Sequence, residues 1–253
     1  MNKELLLIKD FSVPDIIAAE KDYFIVYKPP LMHSAPQKNN SGGTLLEWCA
    51  DKYPEVMKIK GRDNGEGGLL HRLDYETHGL MLVARTEDGM ESLLLQQKEG
   101  NIIKEYSALV MESYTIPPGF PEKDFVLPMD HLYSPWIIKS AFRPYGEGRK
   151  AVRPLPSGEK IYATEIIEKS VYKDNIYSFR LKLSGGFRHQ IRCHLAWAGF
   201  PVLNDRLYGG TPYGNGMLMF RAYSISFVDP SANEKRNYSI DFDLGCFLIS
   251  AAR

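Results

Sequence analysis

Cysteine is scarce. Cys49, Cys193 and Cys246 are the only three in 253 residues, far apart and with no Cys-x-x-Cys pair. This excludes a zinc ribbon, argues against a disulfide framework, and makes a reducing cytoplasm the expected compartment. Long apolar runs are missing too. Leu5–Ile8 is bounded by Glu4 and Lys9, too short for a signal peptide. No stretch approaches the roughly 20 apolar residues of a membrane span, so no membrane association is expected. Charge of one sign is absent: 31 Lys+Arg balance 31 Asp+Glu, which excludes a polycation that holds phosphate through overall charge. A local basic cleft remains compatible with that balance. The chain has no phosphate-loop, nucleophile-elbow or His-Glu-x-x-His motif. His189 and His194, five apart, do not share a helix face, so no metal site is expected.

What is present suits an ordered chain, with 44% apolar and 25% charged residues. Tyr23–Tyr27 reads as a buried strand stopped by Lys28-Pro29-Pro30. Thr44–Tyr53 has helical spacing, and the glycines and charges of 60–68 predict a mobile loop. Gly79–Arg85 is a strand, followed by a helix capped at Thr86 and closed at Gly100. Ile103–Val110 alternates like a half-buried strand, and five prolines in 115–135 mark a long excursion. Further strands are predicted near 136–143, 161–168, 176–183, 217–228 and 238–243, and a short helix over His189–Ala198. Strands outnumber helices without alternating with them, which gives the α+β class with a mostly antiparallel sheet.

Three segments are more polar than their surroundings. His71-Arg72-Leu73-Asp74-Tyr75-Glu76-Thr77-His78-Gly79 precedes an apolar strand and is either a solvated turn or a site. In Gly185–His194, a helix would place Arg188 and Arg192 on one face near its N-terminus, suited to phosphate or a carboxylate, or simply solvated. From Arg180 to Arg221 there are six basic residues, Arg180, Lys182, Arg188, Arg192, Arg206 and Arg221, against one acid, Asp205. Phe187, Trp197, Tyr208 and Tyr213 are interleaved, the pattern expected of a polynucleotide groove.

Together these segments resemble the RluA-like family of RNA pseudouridine synthases. His71-Arg72-Leu73-Asp74-x-x-Thr77-x-Gly79-Leu80 is similar to the family's catalytic motif. Asp22–Pro29 resembles its first motif, and Lys104–Val110 the strand carrying its tyrosine. His189-Gln190-Ile191-Arg192-x-His194-Leu195 with Gly199-x-Pro201, Asp205 and Leu207-Tyr208-Gly209 resembles its last. The resemblance covers about residues 15–230. It implies one catalytic domain over 1–253, with an active-site cleft across the sheet. The first motif begins so early that no separate N-terminal RNA-binding module is expected. His78 stands where the family usually has Ser, Phe187-Arg188 where it has Arg-Thr, Asn204 where it has Gly, and Arg221 where His is common.

The implied activity detaches uracil from its ribose, rotates it and rejoins it through carbon 5, in structured ribosomal or transfer RNA, without a cofactor and as a monomer. Asp74 is then the catalytic carboxylate, as nucleophile or as the group that stabilises and deprotonates an intermediate. Arg192 is its guanidinium partner, and Tyr106 stacks on the target base. Arg72, His78 and Arg188 are implied at the nucleic acid; Lys28 supports the sheet entrance. Two other readings stay open, a non-catalytic RNA-binding relative and a nucleoside or glycoside hydrolase using Asp74. The second is disfavoured because Asp74 and Glu76, two apart on a strand, would face opposite ways.

Overall fold

The computed structural model describes residues 5–6, 8, 10–37, 42–61, 65–123, 125, 127 and 135–244. Cys246, residues 62–64 of the expected loop, and part of the 115–135 excursion lie outside them. The strands are β1 (Leu5–Leu6), β2 (Asp15–Ala19), β3 (Tyr23–Lys28), β4 (His78–Ala84), β5 (Ile103–Met111), β6 (Trp136–Tyr145), β7 (Ala151–Leu155), β8 (Tyr162–Lys173), β9 (Ile176–Leu183), β10 (Phe220–Val228) and β11 (Lys235–Ile240). The helices among the described residues are α1 (Leu45–Lys52), α2 (Glu87–Glu99) and α3 (Gln190–Ala198). The chain packs as two compact units, Met1–Lys104 with Arg221–Arg253, and Glu105–Phe220.

In the first unit β3 lies antiparallel between β2 and β4, with Tyr27 opposite Leu80 and Lys28 opposite Gly79. Every residue of β3 and β4 is buried, as an unbroken apolar run covered on both faces requires. Strand β10 runs parallel to β4, with Arg221 opposite His78 and Ala222 opposite Gly79. Gly79 has φ +130, and a Cβ there would meet the backbone of Ala222, so only glycine lets the two strands approach this closely. Helix α2 starts where the Thr86 hydroxyl accepts from Gly89 N at 3.0 Å and ends on left-handed Gly100. Its Met90 and Leu93 join Tyr23, Ile25, Leu82 and Phe227 in the core.

The expected loop at 60–68 is corrected in its second half. Glu66 to Leu70 are buried, Gly68 N donates to Val56 O at 2.9 Å, and Gly68 O accepts from Ala84 N at 2.7 Å. The glycines serve close backbone approach here, not mobility: a side chain on Gly68 would strike the Ala84 carbonyl.

In the second unit the sheet order is β5-β9-β8-β6-β7. Strand β5 does not keep the expected alternation, because Ser107 to Val110 are all buried. Every residue of α3 is buried. It begins at Gln190, after His189 in the left-handed region at φ 56. Arg188 therefore lies before the helix, and the expected shared face with Arg192 does not form.

Candidate active site

In the first unit, irregular backbone carries His71, Arg72, Leu73 and Asp74 into β4. Leu73 beside Asp74 is pinned by Ser34, whose hydroxyl donates to Leu73 O at 2.9 Å and accepts from Leu73 N at 3.1 Å. Thr77 N closes the turn onto Asp74 O at 3.1 Å. Lys28, fully buried at the end of β3, donates through Nζ to the carbonyls of Pro29 and Met32 at 2.8 Å and of Tyr75 at 3.4 Å. Three carbonyl acceptors match the three N–H bonds of an ammonium. Burial pushes Lys28 down to about 7, opposed by the Asp74 carboxylate. Asp74 is half-buried between buried Leu73 and exposed Tyr75. Arg72 is 56% exposed, and its guanidinium sits 3.1 Å from the carboxylate of Glu66, which is 7% exposed. His71 Nε2 accepts from Leu82 N at 3.3 Å, a scaffold role.

In the second unit, Arg192 and Asp205 form a two-pronged buried pair. Nε donates to Oδ2 at 2.6 Å and Nη2 to Oδ1 at 2.8 Å, with side-chain exposures of 2% and 0%. Asp205 Oδ1 also accepts from Leu207 N and Tyr208 N at 3.1 and 3.2 Å. Charges this deeply buried persist only when paired and hydrogen-bonded. Tyr106 is buried and stacks on Phe220, ring centroids 5.3 Å apart and planes within 12°. His194 is held between the hydroxyls of Ser140 and Thr164 at 2.9 and 2.8 Å, and burial pushes it down to about 3.

The basic stretch from Arg180 to Arg221 is not one open groove. Arg180 pairs with Glu168 at 2.7 Å and Glu105 at 3.7 Å, Lys182 with Glu165 at 3.1 Å, and Arg192 with Asp205. Arg221 is fully buried in the other unit. Trp197 and Tyr208 are core residues. Glu105 comes from β5 and Glu165 and Glu168 from β8, so a count along residues 180–221 saw only one of the partner acids, Asp205.

Residues 22–197 match the family model for RNA pseudouridylate synthase. The chain belongs to this family. It is 26% identical over 229 residues to ribosomal large subunit pseudouridine synthase D of Blochmanniella floridana, covering 90% of this chain and 61% of that protein. It is 27% identical over 224 residues to an uncharacterized RNA pseudouridine synthase of Bacillus subtilis (strain 168), covering 88% and 71%. The chain spans about three fifths of the length of the first relative. Human RNA pseudouridylate synthase domain containing 1 shares the fold, with a TM-score of 0.63 at 21% identity over 94% of this chain and 87% of that one. The α+β expectation is met.

Each departure from the pseudouridylate synthase pattern has a local structural partner. Arg221 Nε donates to His78 Nε2 at 2.9 Å, so these two unusual residues satisfy each other. His78 has no exposed surface. Burial, then the charges of Arg221 and Lys28, hold it well below the usual imidazole range. Asn204 takes the left-handed backbone a glycine would have, at φ 66, and braces the following loop through Tyr213 O at 2.8 Å, Met217 O at 2.6 Å and Tyr213 N at 2.6 Å. Phe187 stacks on Phe142 at 5.2 Å, and exposed Arg188 donates to the carbonyls of Arg149 and Ala151 at 2.6 and 3.1 Å. Ser34, Glu66 and the pairing of Asp205 with Arg192 were not read from the sequence. Only the presence of Asp205 in the last motif signalled any of them. Among the described residues no helix is long and apolar enough to cross a membrane.

Proposed function

We propose that this chain isomerises uridine to pseudouridine in structured RNA, with Asp74 as the catalytic carboxylate. The observation that carries the reading is half-buried Asp74 on a turn braced by Ser34 and Lys28, in a segment that resembles the family's catalytic motif. Nucleophilic or general-base work needs that carboxylate ionised. In this reading Arg192 is its counter-charge, and Asp205 fixes the guanidinium's aim. Tyr106 stacks on the target base. Arg72 contacts a phosphate or fills the space left by the extruded nucleotide, whose unstacking costs a few kcal/mol, least in loops and bulges. Arg188 contacts RNA, and His78 supports β4 from within the unit. The Blochmanniella relative is named for the large ribosomal subunit, which makes ribosomal RNA the first substrate to test and transfer RNA the second. The reading includes no cofactor, no membrane, and a monomer working in the cytoplasm.

The deciding experiment maps pseudouridine in ribosomal RNA incubated with wild type and with Asp74→Asn. The amide is nearly isosteric but cannot act as an anion, so the variant binds RNA and forms no pseudouridine. Near wild-type turnover by the variant would remove Asp74 from the chemistry. Release of free uracil by the wild type would make the protein a hydrolase.

A further inference from the structure

A cluster of exposed cations lies on the β6–β7 hairpin. Residues 139–160 hold Lys139, Arg143, Arg149, Lys150, Arg153 and Lys160 against Glu147 and Glu159. Arg143, Arg149 and Lys150 are exposed and Arg153 is half-buried. Among the described residues, no carboxylate forms an ion pair with any of these four or with Arg188.

Two features indicate that this charge has a ligand. Arg143 and Arg153 stand directly opposite each other in the antiparallel register, and like charges in that position destabilise a sheet. An anion lying between them reverses the sign of that interaction. The turn is also held by a cation: exposed Arg188 donates to the carbonyls of Arg149 and Ala151, which adds its charge beside Arg149 and Lys150. Arg153 Nη1 donates to Gly119 O at 2.6 Å, fixing the other arm. At about 3.3 Å per strand residue, the Arg143–Arg153 pair lies roughly 10 Å from the start of the turn. That span exceeds one phosphate group and suits successive phosphates of a chain. The neighbouring Phe142–Phe187 stack packs with the core around Val152 and Cys193. It anchors the hairpin and leaves the phosphate backbone as the group to be recognised.

We propose that the β6–β7 hairpin, with Arg188 bracing its turn, grips the phosphate backbone of the RNA substrate. The proposal rests on the RNA-modifying reading above and adds to it the surface that holds the RNA outside the reacting nucleotide.

The test measures affinity for a fluorescein-labelled stem-loop RNA with uridine in its loop, over a series of salt concentrations. Each phosphate neutralised adds roughly 0.7–0.9 to the slope of log affinity against log salt. The variant carrying Arg143→Gln, Arg149→Gln and Lys150→Gln should lose about 2–3 units of that slope. Lys98→Gln, an exposed cation on α2 of the other unit, should lose none. An unchanged slope in the folded triple variant overturns the proposal, as does binding of the full chain to anionic lipid vesicles and not to RNA. Should the triple variant fail to fold, Lys150→Gln alone is read, with an expected loss of roughly 0.7–0.9 and no change overturning the idea. Pseudouridine formation is scored separately. Wild type that modifies RNA with an unaffected slope defeats the hairpin alone, whereas a slope that falls with no pseudouridine formed on any RNA defeats the catalytic reading alone.

Discussion

Arg221 and His78 sit opposite each other on the parallel strands β10 and β4 and share a buried hydrogen bond of 2.9 Å. The guanidinium can only donate, so His78 Nε2 is the acceptor and its proton sits on Nδ1. Arg221 also donates to the carbonyls of Asp241 at 2.8 Å and Asp243 at 3.3 Å, tying the segment after β11 to the strand that follows Asp74. With His and Arg at these two positions, the chain has a charged brace between β4 and β10.

Removing Arg221 strips donors from three acceptors, one of them the fully buried His78 Nε2. Arg221→Leu should destabilise the fold by roughly 2–5 kcal/mol in urea unfolding. Combining Arg221→His with His78→Ser should cost less than the two single changes added, with a coupling of about 0.5–3 kcal/mol. Strict additivity would mean that the two positions are independent.

The Arg192–Asp205 pair yields a prediction of opposite character. Asp205→Ala leaves a buried guanidinium uncompensated, and breaking such a pair typically costs about 3–5 kcal/mol. Arg192→Met with Asp205→Leu should be more stable than Asp205→Ala, because two buried apolar side chains need no counter-charge. Arg192→Lys should not restore the wild type, since an ammonium cannot make the two-pronged contact. Thermal unfolding of the four proteins decides the order.

Local chemistry was the legible part of this chain. Thr86 and Gly100 bound α2 as their capping preferences require, and the apolar run Tyr23–Tyr27 is a strand buried on both faces. Strand β7 carries Pro154 in Ala-Val-Arg-Pro-Leu, a residue that argues against a strand; it is tolerated because β7 ends the sheet order, where a missing donor is harmless. Strand β2, Asp15-Ile-Ile-Ala-Ala, has no alternation in its sequence to mark it as a strand. For the candidate site, two separate motifs brought out Arg72 with Asp74 and Arg192, but groups that hold the Asp74 segment lie outside both. Ser34, Glu66 and Lys28 reach the Asp74 segment only through the fold. The left-handed backbone of His189, which separates Arg188 from α3, is a conformation histidine tolerates but does not require, so the residue type alone did not mark it.

His194 makes acid stability testable. Its unfolded pKa is near 6.5 and burial holds the folded value at about 3. Between those values the unfolded chain binds the extra proton, so stability present above pH 6.5 is lost as the pH falls toward 3. His194→Asn should flatten the fall of unfolding free energy over this window. A wild-type profile no steeper than the variant's would show that the imidazole is protonated in the folded chain.

Lys28 gives the corresponding prediction on the alkaline side. Its ordinary value of 10.5 is lowered to about 7 in the folded chain, by burial first, with Asp74 opposing. Below pH 7 both states hold the proton and the cost of burying the ammonium is fully present. From pH 7 to 10.5 the unfolded chain holds one more proton, so that cost is relieved and the fold gains stability as the pH rises. The unfolding free energy of wild type minus that of Lys28→Met should therefore increase between pH 7 and pH 10. In Asp74→Asn the opposing carboxylate is gone, Lys28 drops further, and the increase begins at lower pH. A flat difference between wild type and Lys28→Met would mean that the three carbonyls of Pro29, Met32 and Tyr75 hold the ammonium charged, and that Lys28 braces the Asp74 turn as a permanent cation.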